Sequence, residues 1–343
     1  MDKMPSSCST SISGAPDWDF FAIRNFWKET SLELLPRKNG ETLSIERVAI
    51  VGTGTQGAQI AYRCAVRGYD VRAFDASAAA RDAARKKIRG WLGKHVAEGR
   101  LAPQEAAEAE GRLQLLASLS DTVADADLVI EAVPENLELK RAVWLQIDGV
   151  APAETLLATN SSSIPSSRLA EATNRQGRTF SLNFDFPVED SLVELMWNGE
   201  TSQASKEVVR PFLVSLGMIV LESHREIQGF SFNRVWRAIK KECLHLVGEG
   251  YSDVQGLDRH FMLTFGTSLG PFAFMDMVGL DVVRDIELSY CRESGDPADL
   301  PPTMLLEMIE RGELGVKTGK GFYEYPNPAY QTPGWLEEEH TAG

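Results

Sequence analysis

Three glycines and one aspartate carry the clearest chemistry in this sequence. Gly52-Thr53-Gly54-Thr55-Gln56-Gly57 is a G-x-G-x-x-G segment directly after the apolar run Val48-Ala49-Ile50-Val51. In such a segment the first glycine permits a tight turn and the second lets backbone approach a pyrophosphate. The third lets a following helix pack closely on the strand, and that helix offers unpaired N–H groups to phosphate. Asp75 ends the next apolar stretch, where a carboxylate can accept from both ribose hydroxyls of an adenosine. A carboxylate there repels a 2′-phosphate, so the expected cofactor is NAD rather than NADP. Arg72 falls before the strand end and is a poor phosphate clamp.

The elements that must hold these residues are short strands alternating with helices. Strands are expected at 48–51, 70–74, 127–131, 155–159, 179–184, 192–196 and 218–221, with helices at 56–66, 78–98, 103–112, 137–147 and 204–216. Beyond about residue 229 the strands stop. Helical patterns follow at 230–247, 254–263, 271–277, 281–290 and 304–311. The fold class is therefore α/β: an N-terminal Rossmann-type domain with a mainly parallel sheet, followed by an all-helical C-terminal domain. The expected boundaries are 1–45 for an N-terminal extension, 46–228 for the NAD-binding domain, 229–330 for the helical substrate and dimerisation domain, and 331–343 for a tail. The extension holds a Ser-rich stretch, expected to be mobile, and an aromatic cluster, Trp18, Phe20, Phe21, Phe26 and Trp27. Its plainer reading is an appendage packed on the body, and its sharper one a lid or docking segment.

Composition excludes several classes. With 35 basic and 49 acidic residues in 343, the net charge is −14, which repels nucleic acid and anionic lipid. Four scattered cysteines and the lack of a leader pattern suggest reduced thiols in the cytoplasm. No metal site is expected, because the five histidines form no ligand spacing and His245 with Glu249 reads as a surface pair. No apolar run is long enough for a membrane span.

From Val48 to Tyr325 the chain resembles the L-3-hydroxyacyl-CoA dehydrogenase family. The resemblance lies in the segment from Asp127 to Leu137, in Ala158-Thr159-Asn160-Ser161-Ser162-Ser163, and in Gly229-Phe230-Ser231-Phe232-Asn233-Arg234. It continues in Gly270-Pro271 with Asp276 and Gly279-Leu280-Asp281, and in the segment from Gly315 to Tyr323. Residues 86–101 and the helix after them are similar to the family's inserted helical arm. The resemblance implies NAD-dependent interconversion of a 3-hydroxyacyl substrate and its 3-keto form, and a homodimer built by the helical domain. It also implies cofactor contacts at Gly52, Gly54, Thr55, Gln56, Gly57, Asp75, Glu131, Glu135 and Asn160. Ser162, Asn233 and Glu194 match the family's site serine, helix asparagine and glutamate, the last with one residue deleted before it.

Two site positions depart. Where the family reads roughly G-M-H-F-F-N-P, this chain reads Ser181-Leu182-Asn183-Phe184-Asp185-Phe186-Pro187. Asn183 stands at the catalytic histidine and Phe186 at a substrate-binding asparagine. An amide forms hydrogen bonds but exchanges no proton near neutral pH. Asp185, two residues on, shares a strand face with Asn183 and is a candidate replacement, its pKa raised by Glu194; the plainer reading is a solvated strand-end carboxylate. A lysine of the long helix, Lys240 or Lys241, is a rival, although a solvated basic face is the plainer reading there. Arg237, on the same face, is a candidate clamp for a substrate carboxylate. Ser162 reads from its local sequence as a helix cap and from the resemblance as a substrate contact. The leading expectation is a dehydrogenase with an altered proton relay, its site in a cleft between the domains. The alternatives are an NAD-binding sensor that no longer turns over and an enzyme repurposed for a specialised substrate of secondary metabolism.

Overall fold

The structure, a computed structural model, describes residues 44–185 and 192–337. The aromatic cluster and Phe186 lie outside the described residues. Strands β1 (Arg47–Val51), β2 (Asp70–Phe74), β3 (Leu113–Leu116), β4 (Leu128–Glu131), β5 (Leu156–Thr159), β6 (Thr179–Phe184), β7 (Leu192–Trp197) and β8 (Ile219–Ser223) form one sheet. Their order is β3-β2-β1-β4-β5-β6-β7-β8, and every neighbouring pair is parallel except β6 with β7. The seven-residue connection between β6 and β7 is too short for a crossover, so these two must run antiparallel.

Helices cover both faces of the sheet: α1 (Thr55–Val66), α2 (Ala78–Ala97), α3 (Pro103–Gly111), α4 (Leu119–Val123), α5 (Leu137–Val150), α6 (Ser167–Ala170) and α7 (Gln203–Ser215). Alternation along the strands divides the core. Val48, Ile50, Leu128 and Ile130 pack with Ile60 of α1, Ile88 of α2 and Leu213 of α7. Ala49, Val51, Val129 and Leu157 point the other way, to Val123 of α4, Trp144 and Ile147 of α5 and Leu169 of α6. Each fully buried Val, Leu or Ile contributes about 1.5–3 kcal/mol, so this two-sided core fixes the carboxyl ends of the strands where the chemistry sits. Helix starts are set locally: Ser77 accepts from the Ala80 N–H ahead of α2, and Asn136 from the Leu139 N–H ahead of α5.

The chain divides into two compact units between Ile239 and Lys240, inside α8 (Ser231–Gly248). The second unit is built on the rest of α8 with α9 (Val254–Phe265), α10 (Pro271–Val278), α11 (Leu280–Ser294) and α12 (Thr303–Glu310). Its fixed points are two buried carboxylates. Asp258 accepts from the N–H groups of Phe272 and Ala273 and from the Tyr323 hydroxyl. Asp276 accepts from the N–H groups of Phe322 and Tyr323 and from the Tyr325 hydroxyl. A Cβ on Gly321 would lie 2.0 Å from Asp276 Oδ1, and one on Gly315 2.2 Å from the Asp276 carbonyl oxygen. Gly315 and Gly321 therefore serve close wrapping around Asp276.

The lysines offered as rival proton donors are corrected here. Lys240 is buried with its Nζ 3.8 Å from Glu287, and Lys241 Nζ lies 2.8 Å from Asp299. Both are committed to carboxylates of the helical unit, and Lys240 is not on a solvated face.

Candidate active site

The turn after β1 is shaped by contact. Gly52 adopts φ +102°, and a Cβ there would lie 2.6 Å from the Ala132 carbonyl oxygen. A Cβ on Gly57 would lie 1.9 Å from the Gly52 carbonyl oxygen, so any side chain would force α1 off the turn. Gly54, by contrast, faces open space. It precedes α1, which starts at Thr55 with no side-chain cap and no acidic residue in its first turn, leaving its N–H groups to an anion. Asp75 sits beside this cradle. Its Oδ2 accepts from the Thr53 N–H at 2.9 Å and from the Thr53 hydroxyl at 3.2 Å, and its Oδ1 from the Ser77 N–H at 3.0 Å. An open glycine, an uncapped helix and a pinned carboxylate together fit a dinucleotide. Arg72 pairs with Asp125, away from this carboxylate. Arg81, which the sequence reading passed over, donates to the Asp75 carbonyl oxygen and so sits at the same end of the cradle.

At the ends of β4 and β5 the carboxylates are already occupied. Glu131 is fully buried, 2.7 Å from Lys140 Nζ, and also accepts from the Val133 N–H and the Thr159 hydroxyl. Its assignment as a cofactor contact is therefore corrected: it is the counter-ion of a buried lysine beneath the site. Glu135 is exposed and accepts from the hydroxyls of Ser161 and Ser163 and from the Ser163 N–H, with Lys140 Nζ at 3.4 Å. Burial pushes its carboxyl up, but the serine hydrogen bonds and the lysine charge outweigh that and leave it below the ordinary range. The capping role read for Ser162 is not found: the next helix, α6, starts after Ser166 with no side-chain cap, and Ser161 Oγ accepts from the Ile164 N–H at 2.7 Å in the turn ahead of it. Ser162 is exposed, and its hydroxyl makes no hydrogen bond among the described residues.

Strands β6 and β7 hold one of the two departing positions, Asn183. Asn183 and Glu194 are cross-strand partners in the ladder, and both are buried. The Asp185 N–H donates to the Leu192 carbonyl at 3.1 Å, which extends the same register by two residues. Glu194 Oε1 accepts from the Phe232 N–H at 2.9 Å, in the first turn of α8, one residue from the half-buried Asn233. Burial, the largest influence, raises the Glu194 carboxyl above its usual range. Hydrogen bonds from the Phe232 and Ser231 amides oppose the rise, and the Asp185 charge adds to it. Two side chains tie this hairpin to the nucleotide end: the Phe184 N–H donates to Asn160 Oδ1 at 3.2 Å, and Gln56 Nε2 donates to the Phe184 carbonyl at 3.4 Å. Asn160 and Gln56, expected to touch cofactor, thus also position the residue between Asn183 and Asp185.

Comparison with known proteins agrees along most of the chain. Residues 47–226 match the family described as 3-hydroxyacyl-CoA dehydrogenase, NAD binding domain, and residues 229–325 match its C-terminal domain. The 3-hydroxybutyryl-CoA dehydrogenase of Mycobacterium tuberculosis is 33% identical over 285 residues, covering 82% of this chain and 99% of that protein. The 5-formyl-3-hydroxy-2-methylpyridine 4-carboxylate 5-dehydrogenase of Mesorhizobium japonicum is 30% identical, covering 82% of this chain and 91% of that one. The crystal structure of (S)-3-hydroxybutyryl-CoA dehydrogenase from Ralstonia eutropha superposes with a TM-score of 0.78 at 34% identity, covering 83% of this chain and all of that one.

Proposed function

The chain belongs to the 3-hydroxyacyl-CoA dehydrogenase family and is an NAD-dependent dehydrogenase, and from that premise we propose that it interconverts a 3-hydroxyacyl thioester and its 3-keto form by a relay that lacks imidazole. The observation that carries this reading is the tie through Phe184. Gln56 and Asn160 hold the strand bearing Asn183, opposite Glu194, against the nucleotide turn. When bound, NAD supplies the two-electron hydride carrier. The chain's own groups then orient the substrate: the Asn183 amide and the uncommitted Ser162 hydroxyl hydrogen-bond the reacting oxygen, and Asn233 holds the thioester carbonyl.

A thioester of coenzyme A is favoured by charge. Helix α2 carries Arg81, Arg85, Lys86, Lys87, Arg89 and Lys94 against a single acid, Asp82, in a chain of net charge −14. Lys86 and Lys87 are exposed and form no ion pair among the described residues, which suits phosphate recognition. The reading includes a homodimer, supported by large exposed apolar side chains on neighbouring helices of the second unit: Leu263, Phe265, Phe274, Met277 and Val282. It also includes a cytoplasmic location, supported by free thiols at Cys64, Cys243 and Cys291. Asn183 supports a specialised acyl group, and the family includes a dehydrogenase named for a pyridine carboxylate.

A second reading has one specific observation behind it. Glu194 anchors the first turn of α8, so its retention needs no catalysis, and a non-turning NAD-binding sensor would keep it too. The deciding experiment follows NADH absorbance with acetoacetyl-CoA and with free acetoacetate. The dehydrogenase reading expects turnover of the thioester, and Lys86→Ala with Lys87→Ala raising KM severalfold at unchanged kcat. NADH binding without oxidation by either substrate would favour the sensor.

A further inference from the structure

We propose that Asp185 and Glu194 together form the proton-exchanging group of this site, in place of the family's histidine; the proposal rests on the dehydrogenase reading above. The argument starts from register. Asn183 faces Glu194 across the antiparallel pair, and the Asp185–Leu192 backbone hydrogen bond continues that ladder. Residues 183 and 185 therefore share one strand face with residues 192 and 194, and Asp185 is the diagonal neighbour of Glu194. Diagonal neighbours in such pairs lie about 7–8 Å apart, within reach of a long side chain such as that of Glu194.

The surroundings of Glu194 determine what two carboxylates here can do. Strand β8 presents Leu221 opposite Glu194, and α8 presents the Ser231 and Phe232 amides. Asp185 is the charged group that acts on Glu194, and no cation pairs with Glu194 among the described residues. The burial of Glu194 and the charge of Asp185 both work against a second negative charge on this face, so it retains a proton more readily than an isolated carboxylate does. Asp185, half-buried where Glu194 is buried, is the member that exchanges with water. The other candidates are spent: Lys240 and Lys241 are paired with Glu287 and Asp299, and Asn183 exchanges no proton.

The step balances without further reagents. In the reducing direction the keto carbon gains a hydride from the reduced nicotinamide, and the carbonyl π pair moves onto oxygen. That oxygen takes the proton held by the carboxyl pair, which water then restores. Oxidation of the hydroxyl runs the same path backwards, with the pair accepting the proton. Asn183 donates a hydrogen bond to the oxygen throughout, and the Phe184 tethers to Gln56 and Asn160 keep the pair beside the cofactor end.

The test uses the full chain, NADH and acetoacetyl-CoA, with NADH affinity measured separately by fluorescence titration. Asp185→Asn, close to isosteric, should lower kcat by roughly 10²- to 10⁴-fold while NADH affinity stays unchanged. Adding Asn183→His to that variant should restore turnover, because an imidazole opposite Glu194 supplies the missing acid–base group. An active native protein with an Asp185→Asn variant within about threefold of it would overturn the proposal alone. A native protein that binds NADH and never oxidises it removes the dehydrogenase reading and this proposal together.

Discussion

Two carboxylate pairs lie a few strands apart in the same sheet, and their settings are opposite. At the ends of β4 and β5, Glu131 and Glu135 share the Lys140 ammonium and collect hydrogen bonds from Thr159, Ser161 and Ser163. Those donors hold Glu135 in its charged form. On the β6–β7 hairpin, Glu194 has backbone amides and a second acid for neighbours, and its carboxyl is pushed up. The first arrangement fixes negative charge and builds a floor. The second favours the protonated form of Glu194 more than water does. Acidic residues near a cofactor are therefore told apart by what faces them, not by distance from the glycine turn.

The contrast is most sharply tested at Glu194 itself. Glu194→Gln keeps an oxygen for the Phe232 N–H, so the α8 anchor survives while the proton is lost. Turnover should fall by roughly 10²- to 10⁴-fold with the melting temperature nearly unchanged. A large loss of stability with intact turnover would make Glu194 a helix anchor only. On the other pair, Lys140→Met should cost about 3–5 kcal/mol in denaturant unfolding, because it strands a fully buried Glu131. Asp75→Asn should weaken NADH binding about ten- to a hundredfold, the worth of charge-assisted hydrogen bonds to ribose, and narrow the discrimination against NADPH.

The smallest effect is expected from Glu135→Gln, and it depends on pH. The folded pKa of Glu135 lies below its ordinary value of 4.5, so its contribution is fully present above that value. It is lost as pH falls through the lowered folded value. Unfolding curves of the native protein should therefore weaken more steeply with acid, from about pH 4.5 downward, than those of the variant.

Much of this could be read from sequence where local signals are strong. A β-branched run that ends in glycine marks β1, the stretch before Asp75 marks β2, and the helical pattern beyond residue 229 marks a change of architecture. Strand β3 and helix α4, four and five residues long, are too short to show a period, and neither was expected. Glu131 was misread because the lysine that claims it lies nine residues on. A signal was present, however: Lys140, Trp144 and Ile147 follow helical spacing, and a lysine on an apolar stripe requires a buried acid. Lys240 repeats the lesson with Leu244 one turn beyond. Which of Ser161, Ser162 and Ser163 closes the turn on the Ile164 N–H is a matter of backbone geometry, which three identical side chains do not encode.

The most direct measurement is a pair of pH–rate profiles for the native protein, one for acetoacetyl-CoA reduction and one for 3-hydroxybutyryl-CoA oxidation. A carboxyl pair that gives up its proton in reduction and takes it back in oxidation predicts mirror images. Reduction should fall as pH rises through the raised range of the Glu194 carboxyl, and oxidation should climb through the same range. Two profiles that stay flat through that range would contradict proton exchange at Asp185 and Glu194.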